Sequence, residues 1–138
     1  LLIEKLNRAE RKRLFENLAA AMRKMHESHF QHSCLYPKHI FLKNQVGAPI
    51  ESDFIDLEKA RRRLFKKSAS MKDLGILHRH TGHCSKTDRL RFFMAYRQEK
   101  KLSVASKKMI AIIARPKKSN ITQYPELGQS IQSLREVA

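Results

Sequence analysis

The chain has 138 residues, 41% of them hydrophobic, which is enough for one buried core and too much for general disorder. Lys and Arg number 29 against 13 Asp and Glu, so the formal charge of +16 points to an acidic partner: nucleic acid, an anionic lipid face or a phosphorylated substrate. Four Gly and four Pro exclude collagen-like and low-complexity chains, two Cys are too few for a disulfide scaffold and fit a reducing compartment, and no apolar run reaches the roughly 18 residues of a membrane span.

Glu4, Lys5, Arg8 and Glu10 interrupt the first apolar residues, so no secretory leader is expected there. The first residue is Leu1 rather than Met, which suggests a piece of a longer protein. No Gly or Pro precedes Pro37, and Leu14, Leu18, Met22 and Met25, with Phe15 beside them, predict one long helix over 4–28. Ser28 to Pro37 is polar and His-rich, which is loop chemistry. Ile40-Phe41-Leu42 and Phe54-Ile55 flank a turn signal from Asn44 to Pro49 and predict a hairpin, about 40–43 with 53–56. Leu57 to Lys67 reads as a basic loop or helical turn. Met71, Leu74 and Leu77 predict a helix over Ser70 to His78 despite Gly75. Ser85 with Asp88 forms a capping pattern for a helix to about residue 99, with Leu90, Phe93 and Met94 on its apolar face. Ala105, Met109, Ile112 and Ile113 predict another helix over Ser103 to Ala114, stopped by Pro116. Leu127, Ile131 and Leu134 allow a weak last helix in a polar tail. The predicted class is mainly α with one small β-hairpin, with a domain over 1–115 and a tail over 116–138.

The charge is uneven. Residues 57–72 carry seven bases against Glu58, and residues 85–118 carry eleven against Asp88 and Glu99. Arg61-Arg62-Arg63 is a candidate anion-binding run, with a solvated basic turn as the plain alternative. His78, His80, His83 and Cys84 count to four possible zinc donors, but they crowd into one short stretch where structural zinc sites use two separated pairs. Arg89, Arg91 and Arg97 beside Phe92 and Tyr96 could form a nucleic-acid face; core packing is the simpler use of the aromatics.

The element order is long helix, His-rich loop, strand, turn, a strand closing on an Asp, then helices. That is the order of the catalytic half of a protein-kinase-like fold, where phosphoryl transfer gathers a base and metal-binding acids around the phosphates. The run Met25-His26-Glu27-Ser28-His29-Phe30-Gln31-His32-Ser33-Cys34-Leu35-Tyr36-Pro37-Lys38-His39-Ile40-Phe41-Leu42 resembles the catalytic loop of the lipopolysaccharide kinase (Kdo kinase and WaaP) family, closest to its InaA-like branch. Ile55-Asp56-Leu57-Glu58-Lys59-Ala60-Arg61 resembles that family's metal motif. Asp73-Leu74-Gly75-Ile76-Leu77 and Thr87 to Tyr96 resemble its later helices. The resemblance covers about residues 10–100.

It implies the C-terminal lobe of a kinase-like fold and ATP-dependent, Mg²⁺-assisted phosphorylation of a sugar hydroxyl on the lipopolysaccharide inner core. The implied setting is cytoplasmic, at the inner face of the inner membrane, with the lipopolysaccharide core or another anionic lipid surface as partner. His32 matches the loop's opening His. Asp56 and His39 match metal-site positions, Asp73 a helix Asp that braces the loop, and Tyr36 a structural Tyr. Cys34 stands where the family has its catalytic Asp, and a thiol neither orients a hydroxyl like a carboxylate nor binds Mg²⁺ strongly. The chain also lacks the Gly-rich loop and strand Lys of an N-terminal lobe. The alternatives are therefore a non-catalytic pseudokinase-like stress or scaffold protein and a small basic nucleic-acid-binding domain.

Overall fold

A computed structural model describes residues 5–43 and 51–116. Among them are four helices, α1 (Arg8–Glu27), α2 (Lys66–His80), α3 (Lys86–Arg97) and α4 (Val104–Ile113). Four short strands, β1 (Phe30–Gln31), β2 (Ile40–Lys43), β3 (Glu51–Phe54) and β4 (Arg61–Arg62), form two antiparallel pairs, β1 with β4 and β2 with β3. The class is α+β. The Gly47 turn and the weak helix expected around 127–134 lie outside the described residues.

Helix α1 starts where a capping box closes it. The Asn7 side chain accepts from the N–H groups of Ala9 and Glu10, and the Glu10 carboxylate accepts from Asn7 N–H. Such a cap is worth about 1 kcal/mol. Leu14, Leu18 and Met22 are buried in steps of four, with Phe15 and Ala19 beside them. The next step of four falls on His26, also fully buried, while Met25 is only half-buried. The stripe packs most extensively along α3, where Phe92, Phe93 and Tyr96 meet it. The expected α3 face of Leu90, Phe93 and Met94 is therefore rotated: Leu90 is exposed and Phe92 and Tyr96 turn inward, since aromatics bury more apolar area.

Helix α4 keeps Ile113 in the core but leaves Ala105 and Ile112 exposed, contrary to the expected face. It is tied to α3 through polar groups instead: Arg97 Nε donates to Ser106 Oγ at 3.0 Å, and Ser106 Oγ donates to Glu99 at 2.9 Å. Hydrogen bonds from Ser103 and Ser106 hold the Glu99 carboxyl below the usual range. The hairpin pairs Ile40 with Phe54 and Lys43 with Glu51, so its second strand lies two residues earlier than expected. The chain leaves the ladder once Ile55 N–H has donated to His39 O at 3.0 Å. The expected basic loop resolves into a 3₁₀ turn (Leu57–Lys59), β4 and the first turn of α2.

Candidate functional site

The loop after α1 is held from below by one buried carboxylate. Asp73 on α2 is fully buried. Its Oδ1 accepts from Ser33 N–H at 2.8 Å and its Oδ2 from His32 N–H at 2.6 Å. The same Oδ2 meets His26 Nε2 at 3.2 Å, and His26 Nδ1 takes the Tyr96 hydroxyl at 2.8 Å. A chain of polar contacts thus runs from α3 through α1 and α2 to the loop backbone. Burial pushes the Tyr96 hydroxyl up to about 12. Ser33 sits in the left-handed region, with φ 71°. A non-glycine residue there costs on the order of 1–3 kcal/mol, and the charged acceptor on its N–H helps hold it.

The hairpin delivers the second half of the site. Asp56 follows β3 by two residues and is also left-handed, with φ 61° and ψ 56°. Its Oδ2 lies 3.3 Å from His39 Nε2, not against Lys59 or Arg61. His39 Nδ1 donates to Cys34 O at 2.7 Å. A carbonyl only accepts, so Nδ1 carries a hydrogen, and Nε2 is the ring atom that faces the carboxylate. His32 completes the wall: its ring stacks on His39 at 6.0 Å, its Nε2 donates to Ile55 O at 3.0 Å, and its buried Nδ1 has no hydrogen-bond partner. His32 thereby ties the loop to the residue that precedes Asp56.

The carboxylate side chain of Asp56 is 46% exposed, which leaves room for water and phosphate oxygens. That suits Mg²⁺, which is commonly held by one or two carboxylates and completed by phosphates and water. His39 is a poorer donor for so hard a cation and fits better as the group that aims Asp56. Among the described residues no three His, Cys, Asp or Glu side chains converge as metal donors, the stretch His78 to Cys84 included. Cys84 is in the core, where burial raises its thiol, and His80 packs edge-on against Tyr36 at 4.7 Å.

Cys34 is half-buried, and its carbonyl accepts from both His39 Nδ1 and Tyr36 N–H. Tyr36 also packs edge-on against His39 at 5.5 Å. The three arginines do not form one cluster. Strand alternation sends Arg61 to Ser33 Oγ at 3.3 Å and Arg63 to Gln31 Oε1 at 2.7 Å, while Arg62 lies over the Phe30 ring on the other side. Asp53 pairs with Lys43. Sequence reasoning missed His26 and Tyr96. The signal for His26 was present, since it extends the Leu14, Leu18, Met22 stripe by one more step of four.

An apolar cavity of about 400 Å³ opens between the helices and β2, walled by Leu14, Leu18, Ile40, Leu77 and Phe92, with Lys86 and Arg89 among its polar neighbours. None of His32, His39 and Asp56 lines it.

The lipopolysaccharide kinase (Kdo/WaaP) family model matches residues 3–96. The chain is 37% identical over 78 residues to "Protein InaA" of Escherichia coli (strain K12), covering 56% of this chain and 35% of that protein. It superposes with a TM-score of 0.60 and 21% identity on a solved structure of WaaP in complex with acyl carrier protein, covering 96% of this chain and 51% of WaaP. At that identity the WaaP likeness speaks to the fold alone. The chain spans about a third of InaA and half of the WaaP chain.

Proposed function

The chain belongs to the lipopolysaccharide kinase (Kdo/WaaP) family, and we propose that it is the C-terminal lobe of an ATP-dependent kinase acting on a sugar hydroxyl of the lipopolysaccharide inner core. Residues 1–115 make up that lobe in this reading. The observation that carries it is the Asp56–His39 pair, a half-exposed carboxylate at the end of the hairpin with the imidazole Nε2 3.3 Å away. Asp56 would hold Mg²⁺, and His39 would aim it. Held by Asp56, Mg²⁺ would supply positive charge to offset the charge on the phosphates. His32 and Asp73 fix the backbone on which the pair is mounted, and Tyr36 packs against His39. Arg61 to Arg63 add positive potential beside the site.

Cys34 supplies no carboxylate where the acceptor hydroxyl would be oriented. Loss of an aligned base costs about 10²–10⁴ in rate, so slow turnover is part of this reading. The Gly-rich cover for the phosphates would come from an N-terminal lobe elsewhere in the protein. The setting is the cytoplasmic side of the inner membrane, where anionic lipid attracts each Lys or Arg by about 1 kcal/mol. The WaaP neighbour was solved with acyl carrier protein, so a protein partner of that kind belongs to the proposal.

The test is calorimetry and turnover on the full-length protein. Mg²⁺-dependent ATP binding that is lost in Asp56→Ala, together with phosphate transfer to lipopolysaccharide core, supports the kinase. Absence of Mg²⁺-dependent nucleotide binding refutes it. The second reading, a pseudokinase-like scaffold, is favoured by Cys34; it expects no transfer, and Cys34→Asp would then be the variant to restore it.

A further inference from the structure

The segment between Asp56 and α2 shows a conflict that packing among the described residues does not explain. Leu64 is 86% exposed, the most exposed large apolar side chain among the described residues, and Phe65 is 70% exposed. Their backbone is firmly held. Arg63 N–H donates to His29 O at 2.8 Å, and His29 Nδ1 donates to the carbonyls of Arg63 and Leu64 at 3.1 Å each. Phe65 O accepts from Ser68 and Ala69 as α2 begins. The loop is pinned while both apolar side chains face water, a position where a polar residue would fold equally well.

Alternation along β4 and the residues after it puts Arg62 on the outer side with Phe30, which is 43% exposed, while Arg61 and Arg63 turn toward Ser33 and Gln31. Lys66, which also reaches Glu27 at 3.1 Å, and Lys67 follow at the start of α2, which has no acidic residue in its first turn and no side-chain cap. From Lys59 to Lys72 there are seven bases and no acid. Large apolar tips flanked in the chain by cations are the make-up of a surface that seats in the headgroup layer of a membrane. A second copy of this face would set cation against cation, and Leu64, the most exposed side chain of the tip, is the one that offers a nucleic acid neither stacking nor charge.

We propose that Leu64 and Phe65 form an insertion tip, with Phe30 at its base, that docks this protein on an anionic phospholipid bilayer while Arg62, Lys66 and Lys67 bind lipid phosphates. This deepens the reading above by naming the surface that meets the membrane.

The experiment is co-sedimentation of the full chain with vesicles of phosphatidylethanolamine and phosphatidylglycerol, against phosphatidylcholine vesicles, without nucleotide or metal. Binding to the anionic vesicles should fall about ten-fold or more in Leu64→Asp/Phe65→Asp. It should fall about five-fold for each of Arg62→Gln and Lys67→Gln, and weaken with salt. The chain contains no Trp, so Leu64→Trp gives one clean reporter, whose emission should shift to the blue and be quenched by brominated lipid. Equal binding to neutral vesicles, no binding at all, or an indole emission of Leu64→Trp that vesicles leave unchanged overturns the proposal. So does a concentration-dependent dimer abolished by Leu64→Asp/Phe65→Asp, which would assign the face to a second copy. Because no nucleotide is present, failed docking leaves the Asp56–His39 chemistry standing, and failed phosphoryl transfer leaves the docking standing.

Discussion

Asp73 is the residue whose removal should cost the most for the fewest atoms. Asp73→Ala takes away the charged acceptor of two buried backbone N–H groups, at His32 and Ser33, and the partner of His26 Nε2. A hydrogen bond to a charged group contributes about 1.5–3 kcal/mol, so the two short ones alone amount to ~3–6 kcal/mol. Relief of a buried charge and entry of water offset part of this, which leaves ~4 kcal/mol, within the range for breaking a buried ionic contact. Total stability of a domain this size is about 5–15 kcal/mol, so the variant should be close to unfolding at 37 °C. The melting temperature should drop by ~15–30 °C. Asp73→Asn keeps one acceptor oxygen and should lose about half as much. The assays are urea denaturation and amide exchange, in which the His32 and Ser33 N–H groups should be protected in the wild type and lose protection first in the variants. A loss below ~1 kcal/mol for Asp73→Ala, with those amides still protected, would show that the loop stands without its buried carboxylate.

Tyr96 makes a pH prediction. Its hydroxyl is pushed up to about 12, chiefly by burial. Between the ordinary value near 10 and that value the unfolded chain has lost the proton and the folded chain keeps it. Stability should therefore fall as pH rises through this window, by about 1.4 kcal/mol per unit. Tyr96's share of that slope should be lost in Tyr96→Phe, as read by the difference between its denaturant titrations and those of the wild type from pH 9 to 12. Met22 is fully buried in the main stripe of α1, so Met22→Ala should cost ~2–5 kcal/mol in urea; a cost below 1 kcal/mol would mean that α1 packs elsewhere. Asp56→Gly should behave in the opposite way. It relieves a left-handed residue at φ 61°, so stability should stay within ~1 kcal/mol of wild type while divalent-cation affinity, measured by Mn²⁺ relaxation, is lost. A larger loss of stability would make Asp56 a structural residue.

The helices were legible because each carries its own signal. Ser85 and Ser103 cap α3 and α4 as their positions before the apolar runs suggest, and the Leu14, Leu18, Met22 stripe holds α1 against the core. Helix α2 was cut short at its start, at Ser70 rather than Lys66, because Phe65 and Lys66-Lys67 give no capping or charge signal there. The faces of α3 and α4 were misjudged for a different reason. Periodicity says that a stripe exists, but which of two adjacent stripes is buried depends on the partner helix. The strands β1 and β4 are two residues each and are fixed by pairing across thirty positions of sequence, which no local pattern announces.

The site divides along the same line. Asp56 and His39 could be singled out one by one from their motifs, but their contact depends on Asp56 adopting a left-handed conformation at the hairpin's end, and the shift of β3 by two residues sets that position. His26 looked like one more polar residue in a His-rich stretch. Only packing shows that it occupies the last buried step of α1, where it must find partners, and finds Tyr96 on one side and Asp73 on the other. A buried imidazole without those two groups would leave polar atoms unpaired at a cost of about 1–3 kcal/mol each. The three residues are therefore one device, spread over three helices and ending on the backbone of the loop that carries Cys34. The loop's brace is complete while the residue at its tip is a thiol. On the proposed kinase reading, that brace would hold the loop in place for nucleotide binding whatever Cys34 contributes to transfer.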